Sequence, residues 1–229
     1  MAQVLERRYT TKESMNPDDY IITRKRKKYK FAKFFNAPNC FEFDDWQKMP
    51  VDYLEIGAGT GYFSVELAKR HPEHTFVAVD VKADRLQKGA YSAITQGITN
   101  IYFVRARGDQ VDMLADSNSL KGIWMTFADP FPRDRSAGRR LSHPTYLRKY
   151  ATLLEPEGQL YCKHDNPAFF QWTLEQLVVE HWVIDQLTFD LHESDLSDDY
   201  KVLTTYEERW LDEGRQTHFV RAIPPAKLA

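Results

Sequence analysis

The segment from Val51 to Gly61, VDYLEIGAGTG, constrains this chain more than any other. A short apolar run of strand type leads straight into three glycines, each separated by one residue. The stretch that follows, YFSVELAKRH, has apolar residues at 62, 63, 65, 67 and 68, one face of a helix. A glycine turn between a strand and a helix lets the backbone approach a ligand closely. The spacing is GxGxG. Position 62 is Tyr, so the dinucleotide fingerprint GxGxxG is not met.

The remainder continues the pattern that this turn begins. Strands are expected at 75–80, 100–105, 122–129 and 159–164, with helices at 82–97, 143–158 and 167–181 between them, and two last strands at 182–191 and 217–223. Strands alternating with crossover helices predict an α/β fold, a doubly wound, mostly parallel seven-stranded sheet. Right-handed crossovers put the loops that follow the strands on one face, where such sheets bind ligands. Residues 1–40 are expected to form a basic N-terminal arm and 41–229 the catalytic domain. Cys40 and Cys162 stand far apart, which excludes a disulfide scaffold and a Cys-rich zinc site and suits a reducing cytosol. No run approaches the roughly 18 apolar residues of a membrane helix, and residues 1–15 lack the apolar stretch of a signal peptide.

A net charge of −2 argues at first against a nucleic-acid partner. The total hides an asymmetry. Residues 1–33 carry ten basic and four acidic side chains, whereas the rest carries 21 basic and 29 acidic. Seven of the ten residues from Arg24 to Lys33 are cationic, and two aromatics are interleaved. Such an arm suits phosphate contact; a solvated tail is the plainer alternative.

The loops after the strands hold the candidate site residues. Glu55 ends the first strand, beside Gly57, Gly59 and Gly61. Asp80 ends the second, 19 residues past Gly61, where a carboxylate can accept both hydroxyls of a ribose. The fourth strand leads into Asp129-Pro130-Phe131-Pro132, a loop stiffened by two prolines, and then Arg133, Arg135, Arg139 and Arg140. Lys163-His164-Asp165-Asn166 ends the fifth strand, and Thr204-Thr205-Tyr206-Glu207 comes later. Asp165-Asn166 also suits a helix cap, Thr204 to Glu207 a helix start, and the arginines a self-paired surface. His143 and His192 read as structural, and no spacing of Cys, His and Asp suggests a metal.

The E-I-G-A-G-T-G segment resembles motif I of class I S-adenosylmethionine-dependent methyltransferases. Glu55 to Gly61, Asp80, Thr126 to Leu141, Tyr161 to Asn166, Asp190 to Ser194 and Thr204 to Trp210, in this order, are similar to the motifs of the bacterial tRNA (guanine-N7-)-methyltransferases. The resemblance spans about residues 20 to 223. Phe131 replaces the family's Trp, Arg133 a frequent Lys, and His164 the Thr of its K-T-D. Arg107 stands where the family has Asp or Asn near the adenine, with Asp109 beside it.

The resemblance implies methyl transfer from S-adenosylmethionine to guanine N7 in tRNA, at position 46 of the variable loop. It implies a cofactor site of Glu55, Gly57, Gly59, Gly61, Asp80, Arg107 or Asp109, and Asp129. Asp129 and Asp165 would be catalytic. Arg133, Asp165, Thr204, Thr205, Tyr206 and Glu207 would bind the substrate, with Asp165, Thr204 and Glu207 accepting from the guanine N1–H and N2–H₂. Arg24, Lys25, Arg26, Lys27, Lys28, Arg135, Arg139 and Arg140 would meet the RNA backbone. Expected alongside are no metal, no membrane, a cytoplasmic location and a monomer or weak homodimer. A non-catalytic RNA-binding paralogue, an amino-methyltransferase acting on another base or a protein, and a small-molecule methyltransferase are the competing readings.

Overall fold

Along each central strand the side chains alternate between two apolar layers, which is what a sheet covered on both faces requires. Leu54, Ile56, Val77, Val79, Val104, Ile123 and Met125 point to one layer. Phe76, Ala78, Ile101, Phe103, Trp124 and Tyr161 point to the other. The computed structural model describes residues 14–16, 25–211 and 213–226, without the side chains of residues 25–28 and 209.

Helix α1 (Lys25–Asn36) leads to strand β1 (Cys40–Glu42). Strands β2 (Tyr53–Ile56), β3 (Phe76–Asp80), β4 (Ile101–Arg105), β5 (Leu120–Thr126) and β6 (Leu154–His164) follow. Between them lie α2 (Tyr62–Arg70), α3 (Ala83–Thr95) and α4 (Pro144–Leu153). The chain continues through α5 (Pro167–Val179), β7 (Val183–Thr188), α6 (Glu207–Leu211) and β8 (His218–Ile223). The strand order is β1-β4-β3-β2-β5-β6-β8-β7. All pairings from β1 to β6 are parallel, and β8 runs antiparallel to both β6 and β7. The order turns back between β2 and β5, so the crevice of this sheet lies beyond their carboxyl ends.

The sheet therefore has eight strands, not seven. The additional one, β1, is three residues long and pairs only with β4, too short for an alternation to stand out in the sequence. The helix expected at 143–158 stops at Leu153, and the Pro156–Gly158 stop lies inside β6 instead. There the register against β5 shifts between Leu120 and Gly122. Strand β5 ends at Thr126, three residues before Asp129, because Phe127 turns to a left-handed φ of 50°.

The basic segment from Lys25 is helical and packs against α3 and β1. Ala32 and Phe34 are its buried contacts, and Phe34 is wholly enclosed among the aromatic and small residues of the second layer. Arg24 lies outside the described residues, as do the side chains of Lys25, Arg26, Lys27 and Lys28.

Gly89, in the middle of α3, was not singled out by the motifs. A Cβ there would lie 2.2 Å from the Thr60 carbonyl oxygen and 2.7 Å from Phe103, so this glycine is what lets α3 lie against the glycine turn. Glycine to alanine inside an exposed helix ordinarily gains about 1 kcal/mol. Gly89→Ala should instead lose about 2 kcal/mol by overpacking, a fall of several degrees in the thermal midpoint. A raised midpoint would refute the close approach.

Candidate active site

The GxGxG turn is pinned to β3 at both levels of structure. The N–H groups of Gly57 and Ala58 donate to the Val79 carbonyl at 2.9 and 3.0 Å. The Gly59 N–H donates to Asp80 Oδ2 at 2.9 Å, and the Lys82 N–H to Oδ1 at 2.8 Å. Gly61 caps α2 with φ of 70°, and a Cβ there would lie 2.7 Å from Phe103. Only glycine meets both conditions.

Glu55, 2 % exposed, ties three elements together at the point where the strand order turns back. It accepts from Ser64 Oγ of α2 at 2.5 Å and from Thr126 Oγ1 of β5 at 2.6 Å. Burial pushes its carboxyl up to about 7.

The loop after β5 follows a strained path. Phe127 and Phe131 both have positive φ, 50° and 40°, a conformation that disfavours bulky side chains by about 1–2 kcal/mol each. His164 holds this loop to the end of β6: its Nε2–H donates to the Ala128 carbonyl at 2.9 Å, while Nδ1 accepts the Asn166 N–H at 2.9 Å. These two bonds fix the tautomer. Burial pulls the imidazole below its ordinary range. Asn166 in turn caps α5 by accepting from the Phe169 N–H at 2.9 Å.

The β7–β8 connection returns over the same edge of the sheet. The wholly buried Lys163 ammonium at the end of β6 anchors it. Its Nζ donates to the carbonyls of Tyr200 (2.9 Å) and Val202 (2.8 Å) and pairs with Glu207 Oε2 at 2.8 Å. Glu207, 1 % exposed, also bonds His192 Nε2 at 2.9 Å. Burial raises the Glu207 pKa, but the His192 bond and the Lys163 charge outweigh it and hold the carboxyl below its ordinary range. Thr204 and Glu207 cap α6 reciprocally: the Thr204 N–H donates to Glu207 Oε2, and the Glu207 N–H to Thr204 Oγ1, each at 3.1 Å. Thr205 Oγ1 then meets Thr60 Oγ1 at 3.3 Å, and Arg85 of α3 lies over the Tyr206 ring at 6.0 Å.

These segments enclose a cleft of about 1030 Å³. Glu55, Gly57, Gly59, Asp80, Arg107, Asp109, Asp129, Arg139, Asp165, Thr204, Thr205 and Tyr206, all named from the sequence, line it. Among the named residues whose side chains are described, five do not: Gly61, Glu207, Arg133, Arg135 and Arg140. Glu207 is committed to its buried partners. Arg140 turns inward, donating to the carbonyls of Pro130 and Phe131 at 3.1 Å and covering the Trp172 ring. Arg133 and Arg135 are exposed, and Arg139 stacks over the Phe131 ring at 4.4 Å. Arg107 and Asp109 pair with each other at 2.9 Å. Trp210, the last residue of the Thr204 to Trp210 motif, lines the cleft without having been given a role, and Arg215 lines it from outside every motif. Among the described residues no group of three or more His, Cys, Asp or Glu is placed to hold a metal, and no helix is long and apolar enough to cross a membrane.

The family model described as "Putative methyltransferase" matches residues 50–220. A tRNA (guanine-N(7)-)-methyltransferase of Brevibacillus brevis is 35% identical over 170 residues, covering 74% of this chain and 79% of the relative. In fold the chain is similar to the 16S rRNA methyltransferase KamB, with a TM-score of 0.59 at 16% identity over 78% of this chain and 90% of that one. It is also similar to a SAM-dependent methyltransferase from Aquifex aeolicus, with a TM-score of 0.53 at 14% identity over 77% and 83%.

The raised carboxyl of Glu55 makes a signed prediction. The unfolded chain releases this proton near 4.5 and the folded chain near 7. Stability contributed by the protonated group is therefore full below pH 4.5 and is lost as the pH rises to 7, by on the order of 3 kcal/mol. Glu55→Gln should flatten that part of the stability profile measured by denaturant titration. An unchanged pH dependence would rule this assignment out.

Proposed function

The chain belongs to the tRNA (guanine-N7-)-methyltransferase family, and from that premise we propose that it transfers the methyl group of S-adenosylmethionine to N7 of a guanosine in tRNA. One observation carries the reading. A single cleft joins the glycine turn and Asp80 at one end to Asp129, Asp165 and Thr204 at the other.

The residues present fit the cofactor. The turn has left-handed glycines, and a Cβ at Gly59 would meet nothing within 4 Å, so the backbone there is open to a ligand. Asp80 holds two N–H groups in place and keeps lone pairs for the hydroxyls of a ribose. Glu55 and Asp129 bring carboxylates to the wall where a sulfonium and an amino group need negative charge. Arg107 and Asp109 flank the expected adenine end. Bound there, S-adenosylmethionine supplies a methyl group on a cationic sulfur.

Guanine N7 carries a lone pair and no proton, so the acceptor atom needs no general base. The chain's work is positioning and electrostatics. Asp165 and Thr204 are the acceptors for the guanine N1–H and N2–H₂ edge. Glu207 supports them from behind by fixing Thr204, a positioning role. Carboxylates near the base favour the positive charge that the purine acquires. Arg133, Arg135 and Arg139, exposed beside the cleft, are left for O6 or phosphates. The target base must leave its stack to enter, which suits guanosine 46 in the variable loop. A soluble, cytoplasmic monomer or weak homodimer completes the reading.

Purified protein, labelled cofactor and unmodified tRNA test it, with nucleoside analysis of the digest. Label anywhere other than guanine N7, or none, would sink the proposal. Asp165→Asn should cut turnover on the order of a hundredfold while calorimetry finds cofactor binding unchanged. Replacing Arg24, Lys25, Arg26, Lys27 and Lys28 by Gln should reduce the slope of log affinity for tRNA against log salt by about 0.7–0.9 per lost phosphate contact. An unaltered slope would exclude the arm from the interface.

A further inference from the structure

The turn that ends α6 folds back on itself. The Arg215 N–H donates to the Trp210 carbonyl at 3.0 Å, through Gly214 at φ of 73°. This brings the Arg215 guanidinium over the Trp210 indole, its central carbon 3.8 Å from the ring centroid. The same guanidinium donates to Asp165 Oδ2 at 3.2 Å, fifty residues away in sequence, and lies 3.5 Å from Glu213. Trp210, Asp165 and Arg215 all line the cleft.

A planar group with N–H donors along one edge thus already sits between an aromatic face and a carboxylate. The edge of guanine that carries N1–H and N2–H₂ has the same shape and the same donors. We propose that Trp210 and Asp165 together form the seat of the target base, with the indole stacking on the purine, and that Arg215 fills this seat until the base displaces it. The inference rests on guanine being the substrate, and it adds a stacking residue and an internal competitor. The seat stays shaped until a base arrives, and a base that lacks the paired donors cannot replace the two contacts that Arg215 gives up.

Steady-state kinetics on tRNA test the inference with three variants. Trp210→Ala should lower kcat/KM about tenfold or more, the range of base stacking on an aromatic side chain, and Trp210→Phe should restore most of it. Arg215→Lys keeps the positive charge near the phosphates but loses the planar guanidinium, and should lower the KM for tRNA about two- to fivefold with kcat unchanged. Calorimetric affinity for the cofactor should be the same in all three. A KM raised by Arg215→Lys would make Arg215 an RNA ligand and overturn the competitor role. Full activity in Trp210→Ala would overturn the stacking role. Should the wild-type chain fail to methylate guanine N7, the substrate assignment falls instead, so the two failures are distinguishable.

Discussion

A single buried ammonium group determines whether this cleft exists. Lys163 is 0% exposed, at the end of a strand in the middle of the sheet. An unpaired charge in that place would be costly by several kcal/mol. The pairing with Glu207 and the two backbone carbonyls removes the penalty, and it does so by drawing residues 200–207 across the sheet edge. The cap of α6, the contact of Thr205 with Thr60 and the placing of Trp210 all follow from that one attachment. Glu55, whose charge also acts on Lys163, makes the complementary attachment on the other side by holding α2 to β5. The two halves of the cleft are therefore locked by buried polar groups, of which Glu55 also forms part of the cleft wall.

Much of the arrangement was legible beforehand, for physical reasons. A GxGxG turn, apolar runs of strand length and a doubly proline-stiffened loop are local features, and local sterics dictate their conformation. Crossover handedness then puts the loops together. The three-residue β1 was not legible, since its only support is the edge of β4. Nor was the fate of individual charges. Glu207 and Arg140 carry the right chemistry for guanine and phosphate, yet both spend it inside the protein, one on Lys163 and His192, the other on the carbonyls of Pro130 and Phe131. Residue type reveals what a group can bind; only the fold reveals what has already bound it. Arg215 was missed, and Trp210 was given no role although it closes the Thr204 to Trp210 motif, for the converse reason: their meaning lies in a contact created by a turn.

The same distinction reorganises the charge asymmetry. From the sequence, Arg133 was assigned to the substrate and Arg135, Arg139 and Arg140 to the RNA backbone, with a self-paired surface as the alternative. The structure divides them: Arg140 is a strut, Arg139 leans on Phe131 at the rim, and Arg133 and Arg135 are exposed. The left-handed Phe127 and Phe131 set this division, since they turn the loop over the cleft.

The small edge strand β1 has a consequence for scale. It fastens helix α1, with its cluster of positive charge, to the far margin of the sheet, whereas Asp165 follows β6. Five inter-strand spacings separate β1 from β6, and at about 4.8 Å each they amount to roughly 24 Å. A ligand the size of one nucleotide spans only part of that distance, so the basic helix and Asp165 could be reached together only by a larger partner.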